Sequence, residues 1–66
     1  MAIIINGEQK TLQTPVNITE LLEILDISGK LVAVAINGEI IPKVFFDTKL
    51  VLENDKVEIV SPVGGG

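Results

Sequence analysis

The residues best suited to chemistry lie at the C-terminal end of this 66-residue chain, which reads Pro62-Val63-Gly64-Gly65-Gly66. Glycine lacks a Cβ, so a run of glycines is the thinnest peptide possible and can enter a channel that a side chain would block. Fully extended, these residues span about 17 Å, at ~3.3–3.6 Å per residue. Two interpretations are open. Gly66 carries a reacting carboxylate that reaches a partner's active site, or the segment is an inert chain end.

The composition excludes most other catalytic chemistry. The chain has no His and no Cys, so neither a Ser-His nor a Cys-His nucleophile pair can form, and disulfides and thiolate metal sites are excluded. The chain has five Lys, no Arg and nine acidic residues, for a net charge of -4. Because nucleic-acid binding relies on positive charge, we expect no nucleic-acid partner. Asp47, Glu53 and Asp55 lack the spacing of a calcium loop, so we expect solvated turn carboxylates and no metal site.

Nothing in the sequence indicates export or a membrane partner. The longest apolar run, Leu31 to Ile36, is far shorter than the ~20 residues that a membrane-spanning helix needs. The N-terminus lacks the basic and apolar regions of a signal peptide. We therefore expect a cytoplasmic protein.

One amphipathic helix is predicted in the first half of the chain. Asn17 is a favourable N-cap, and Glu20 stands three residues later, which is the pattern of a capping box. Ser28-Gly29 is the predicted C-terminal end, because Gly29 can adopt the left-handed conformation. The apolar stripe that should face the core consists of Ile18, Leu21, Leu22 and Leu25.

Short β-branched segments and turn residues predict the strands around this helix. Asn6-Gly7 and Asn37-Gly38 each suit a tight hairpin turn. Phe45 and Phe46 lie in a predicted helical turn and are expected to fill the core rather than to contact a partner. The predicted strands cover residues 2–6, 8–13, 31–36, 40–41, 50–52 and 57–60.

This element order predicts an α+β protein with the β-grasp fold. A mixed sheet of four to five strands would be covered on one face by the helix, with the first and last strands parallel at its centre. The predicted organisation is a domain over residues 1–61 and a flexible Gly-rich tail over residues 62–66.

Alternation along the strands divides the sheet into two faces. The residues predicted to face the helix are Ile3, Ile5, Val32, Val34, Ile36, Val57 and Ile59. The residues predicted to face outward are Ile4, Ala33, Ala35, Glu58 and Val60. This mostly apolar outer face is either a docking surface or tolerated exposure.

Across its whole length the chain resembles the ThiS family of sulfur carrier proteins in thiamine biosynthesis. The resemblance rests on the Ile3-Ile4-Ile5-Asn6-Gly7 start, the helix from Ile18 to Leu22, the segments 32–43 and 54–60, and the ending Val63-Gly64-Gly65-Gly66. Ser61-Pro62-Val63 is also similar to the end of the molybdopterin-synthase small subunit, a related β-grasp carrier.

The resemblance implies a ubiquitin-like β-grasp carrier that is a co-substrate rather than an enzyme. A ThiF-like enzyme would adenylate the Gly66 carboxylate with its own ATP and magnesium, so the carrier itself would bind no cofactor. A persulfide protein would supply sulfur, and the resulting thiocarboxylate would serve a ThiG-like thiazole synthase. The residues expected to contact partners are Val63, Gly64, Gly65, Val60, Ile4, Ala33 and Ala35. The alternatives are a MoaD-like carrier for molybdopterin synthesis and a β-grasp interaction module with an inert tail.

Overall fold

The computed structural model describes residues 1–28 and 30–61. Within these ranges the chain forms seven strands, one α-helix and one 3₁₀ turn. The bounds are β1 Ala2–Ile5, β2 Glu8–Thr11, β3 Val16–Asn17, α1 Ile18–Ile24, β4 Ala33–Ile36, β5 Glu39–Ile41, the 3₁₀ turn Lys43–Phe45, β6 Leu50–Val51 and β7 Lys56–Val60.

Five strands form a mixed sheet in the order β2-β1-β7-β4-β5. The central pair β1 and β7 is parallel, as predicted, and the other neighbours are antiparallel. Parallel neighbours need a long connection, and the chain between β1 and β7 contains the other elements. The α+β class and the mixed sheet predicted from the element order are therefore confirmed.

The N-terminus of α1 has the predicted capping box. The Oδ1 of Asn17 accepts a hydrogen bond from the Glu20 N–H at 2.7 Å, and the Glu20 carboxylate accepts one from the Asn17 N–H at 2.9 Å. The two helical N–H groups before Glu20 donate to distant carbonyls, from Ile18 to Lys49 and from Thr19 to Phe46. The first turn thus has partners for donors that a helix end leaves free.

The predicted end of α1 at Ser28-Gly29 is wrong, because the helix ends earlier. Asp26 has a φ of 61°, in the left-handed region. Its N–H donates to the Glu23 carbonyl at 3.0 Å, and the Ile27 N–H donates to the Leu22 carbonyl at 2.9 Å. These bonds form a Schellman motif, in which Asp26 takes the position that glycine usually holds. Gly29 lies outside the described residues.

The core lies between α1 and the inner face of the sheet. Its buried residues are Ile3, Leu12, Ile18, Leu21, Leu22, Val34, Ile36, Phe46, Val51 and Val57. Ile5, Val32 and Ile59 are partly buried against it. The predicted alternation of inward and outward residues therefore describes the sheet correctly.

Four strand bounds differ from the prediction by one residue: β1 ends at Ile5, β5 begins at Glu39, β6 ends at Val51 and β7 begins at Lys56. Three differences are larger. β4 begins at Ala33 rather than Leu31, because its partner β7 ends at Val60, which pairs with Ala33. β2 ends at Thr11 rather than residue 13, because Thr11 pairs with Ala2 at the start of β1. The short pair β3–β6 includes a strand that the sequence did not predict, at the N-terminal end of α1.

Candidate functional site

The C-terminal end of the chain emerges from the central strand of the sheet. β7 runs from Lys56 to Val60 between β1 and β4, and Ser61 follows it. β4 pairs with β7 as far as Val60, whereas β1 pairs with it only at Lys56 and Val57. The predicted site residues Val63, Gly64, Gly65 and Gly66 lie outside the described residues.

The structure brings the other four predicted site residues onto one face of the sheet. Ala33 pairs with Val60, and Ala35 pairs with Glu58 two residues before it on β7. Ile4 lies on the other side of β7, opposite Lys56. Val60 is 59% exposed, whereas Ile4, Ala33 and Ala35 are partly covered by their neighbours. We call this surface the outer face: Ile4, Ala33, Ala35, Ile40, Glu58 and Val60.

Ile40 belongs to the outer face but was missed as a site residue. It pairs with Ala35 across the β4–β5 hairpin and is 75% exposed. The signal was present in the sequence, because a two-residue turn at Asn37-Gly38 fixes which residues oppose each other. With Ile40 included, the apolar part of the outer face extends from Val60 across β4 to the edge strand.

The outer face is apolar near Val60 and charged toward the start of β7. Lys56 and Glu58 are both exposed on this strand, and alternation places both side chains on the outer face. The two alanines on β4 have short side chains, so little protrudes from the sheet beside Val60. The outer face is therefore flat and apolar beside Val60, where β7 ends.

The acidic turn residues were expected to be solvated. Asp47 and Glu53 are exposed and Asp55 is half-buried, and all three also accept hydrogen bonds from the protein's own groups. The Asp55 carboxylate accepts from the Leu52 N–H and from the Asn37 side chain, and Glu53 accepts from the Ala2 N–H. Asp47 accepts from the Thr19 hydroxyl. Among the described residues no three His, Cys, Asp or Glu side chains are grouped as metal ligands.

The two phenylalanines have different environments. Phe46 is 8% exposed and belongs to the core, as predicted. Phe45 is 53% exposed, so the expectation that both would fill the core is wrong for this residue. The backbones of both residues are hydrogen-bonded: the Phe46 carbonyl accepts from the Thr19 N–H, and the Phe45 carbonyl accepts from the Lys49 N–H.

A mixed five-stranded sheet with a helix on one face and parallel central strands defines a β-grasp protein. The thiamine biosynthesis protein ThiS from Geobacter metallireducens has the same fold, with a TM-score of 0.87, 35% identity and full coverage of both chains. The family model of ThiS matches residues 3–66. This chain belongs to the ThiS family.

Two sequence relatives add to this comparison. The uncharacterized protein ycf40 of Porphyra purpurea is 36% identical over 66 residues, which is 100% of this chain and 93% of that protein. A thiazole synthase of Paramagnetospirillum magneticum is 38% identical over 66 residues, which is 20% of its own length. In the part of the chain that the structure describes, no helix is long and apolar enough to cross a membrane.

Proposed function

We propose that this protein is a sulfur carrier for the thiazole ring of thiamine, with the Gly66 carboxylate as the group that carries sulfur. The main support is the match to the ThiS family through residue 66, which includes the glycine ending. The similarity to one fifth of a thiazole synthase favours the thiamine pathway over the MoaD-like alternative. On this proposal the protein is a co-substrate and not an enzyme.

The first step activates the Gly66 carboxylate. A carboxylate is a poor acyl donor, because an oxide ion would have to leave. In the active site of a ThiF-like partner, a carboxylate oxygen attacks the α-phosphorus of ATP, and pyrophosphate leaves. The product is a mixed anhydride whose leaving group is AMP. ATP and magnesium are bound by the partner, and the carrier supplies the carboxylate alone.

The second step exchanges oxygen for sulfur. The terminal sulfur of a persulfide on a donor protein attacks the carbonyl carbon, and AMP leaves with the electron pair of its bond. A thiol then cleaves the S–S bond, so that the thiocarboxylate leaves and the donor side becomes a disulfide. The thiocarboxylate on Gly66 is a soft nucleophile, and a ThiG-like thiazole synthase is its proposed recipient.

The outer face is the proposed docking surface for these partners. Val60 and Ile40 are largely exposed apolar side chains, and Ala33 lies beside Val60 on the neighbouring strand. A contiguous exposed apolar patch can mark an interaction site, and these residues are neighbours on adjacent strands. Docking on this face would hold the end of β7 close to the partner and leave Val63, Gly64, Gly65 and Gly66 to reach its catalytic centre.

Deletion of Gly66 tests the role of the carboxylate. The deletion moves the carboxylate back by about 3.3–3.6 Å, and a displacement near 1 Å can already cost ~100-fold in rate. We expect ATP–pyrophosphate exchange by the cognate adenylating enzyme to be lost, while the melting curve is unchanged. Wild-type exchange by the deletion variant would contradict the proposal and favour the interaction module with an inert tail.

The choice of pathway needs a separate measurement. The thiocarboxylated carrier should supply sulfur to thiazole synthase and fail to supply it to the large subunit of molybdopterin synthase. Transfer to the latter alone would assign the protein to the MoaD-like alternative.

A further inference from the structure

The side chains of two hairpin-turn asparagines hold the two ends of β7. Asn6 and Asn37 both adopt positive φ, at 49° and 54°, and each is followed by a glycine at φ 85°. The two turns therefore have the same backbone shape. One follows β1 and the other follows β4, the two strands that flank β7.

Asn6 continues the β1–β7 ladder beyond the point where the backbone turns away. The Ile4 N–H donates to the Asp55 carbonyl at 3.0 Å, and the Asn6 N–H donates to the Val57 carbonyl at 2.9 Å. At Ile59 the side chain of Asn6, rather than a backbone group of β1, makes the hydrogen bonds. Its Oδ1 accepts from the Ile59 N–H at 2.9 Å, and its Nδ2 donates to the Ile59 carbonyl at 3.1 Å.

Asn37 makes the equivalent contact at the start of β7. Its Oδ1 accepts from the Lys56 N–H at 2.9 Å, and its own N–H donates to the Lys56 carbonyl at 2.7 Å. Its Nδ2 donates to the Asp55 carboxylate at 3.0 Å. Lys56 and Ile59 are three residues apart, or about 10 Å along a strand. The two asparagines thus hold opposite ends of the same strand.

The Asn6 contact lies where the chain leaves the sheet. Val60 is paired on its other side with Ala33, so Ile59 is the last residue of β7 that the β1 side can hold. Asn6, Ile59 and Ser61 also line one hollow beside the sheet. Without the Asn6 side chain, the end of β7 would be fixed on the β4 side alone.

We propose that Asn6 is a positioning residue for the C-terminal carboxylate. By holding Ile59 it fixes the place and direction in which the chain leaves the sheet, and so the position from which Gly66 reaches the partner's catalytic centre. This inference rests on the proposed function. Asn37 has the same chemistry at the far end of the strand and has no such effect.

The expected effect is moderate. If loss of the Asn6 contact frees Val60 and Ser61, the part of the chain that must reach the partner's catalytic centre starts at residue 60 rather than residue 62. Loop statistics for seven residues instead of five alone lower the effective concentration about 1.7-fold. Misdirection of the exit adds to this, since a 1 Å displacement can cost ~100-fold. Residues 62–66 can compensate for part of this displacement in the proposed complex. We therefore expect kcat to fall about threefold to tenfold.

Asn6→Gly and Asn37→Gly are a matched pair of variants. Glycine accepts positive φ without strain, so each variant keeps its turn and loses only the side chain. Hydrogen exchange should show lost protection at the Ile59 amide in the first variant and at the Lys56 amide in the second. Both variants should remain folded, with similar and small decreases in Tm.

The deciding measurement is ATP–pyrophosphate exchange over a range of carrier concentrations, with the cognate adenylating enzyme. For Asn6→Gly we expect kcat to fall to less than half of the Asn37→Gly value, with KM unchanged. Values of kcat within twofold of each other, or a change confined to KM, would overturn the positioning role. If wild-type protein itself supports no exchange, the proposed function fails as well, and this outcome is distinguishable from the other two.

Discussion

Val60→Lys is expected to weaken docking to the adenylating enzyme without unfolding the protein. Val60 is 59% exposed on the outer face, whereas Val57, on the same strand and the opposite face, is 1% exposed. A lysine at position 60 points to solvent in the free protein, so its effect on the free energy of unfolding should lie within about 0.5 kcal/mol. In the docked complex it places a charge on an apolar contact.

The size of the effect follows from the exposure of Val60. Full burial of a valine side chain contributes about 1.5–3 kcal/mol. Because 59% of Val60 is available to a partner, docking can gain about 0.9–1.8 kcal/mol from it. Loss of this contribution to the free energy of docking raises KM for the carrier roughly 5- to 20-fold, at ~1.4 kcal/mol per factor of ten. Desolvation of the lysine ammonium can only increase the loss.

The assay is ATP–pyrophosphate exchange as a function of carrier concentration, beside a thermal melting curve. Ionic strength should be near 0.15 M, where the Debye length is about 8 Å, so that the altered net charge has little long-range effect. Val57→Ala is the matched control. It should lower stability by about 1–3 kcal/mol through lost core packing, yet leave KM unchanged at temperatures where it is folded.

Two results would refute this account. If Val60→Lys retains the wild-type KM, the outer face near Val60 is not the docking surface. If Val60→Lys unfolds while Val57→Ala does not, the two faces of β7 have been assigned the wrong way round.

Three further predictions concern the ends of elements and the absence of a bound metal. Asp26→Gly should raise the free energy of unfolding by about 1 kcal/mol, and Tm by roughly 4–8 °C, because glycine adopts positive φ at little cost. An unchanged or lower Tm would contradict this. Gly65→Val should abolish adenylation with no change in Tm, because a β-branched side chain widens and stiffens the tail; wild-type exchange would show that the partner's channel admits a side chain. Chelator treatment should leave Tm unchanged, and a drop of several degrees would reveal a structural metal.

Features set by neighbouring residues could be predicted from the sequence. The capping box joins Asn17 to Glu20 within one turn, so sequence spacing alone defines it. The two faces of β7 follow from the period of two along a strand, which places Val57 inward and Val60 outward. The turn at Asn37-Gly38 is likewise local, and pairing across it would have identified Ile40 as part of the outer face.

Two other features were not predicted in this way. The end of α1 was missed for a local reason: glycine is the usual residue at this position, and the structure uses Asp26, where the backbone bonds of the Schellman motif form. Phe45 and Phe46 are identical in type and adjacent. Phe46 is buried and Phe45 is 53% exposed, and their local sequence does not distinguish them.

The most direct test of the central claim is the mass of the protein isolated from its native host under thiamine starvation. The account predicts a fraction heavier by one exchange of oxygen for sulfur, and fragmentation should assign the added mass to Gly66. Alkylation before analysis should label this fraction only, since the chain has no cysteine thiol. A terminus that carries only the ordinary carboxylate under these conditions would contradict the claim that Gly66 carries sulfur.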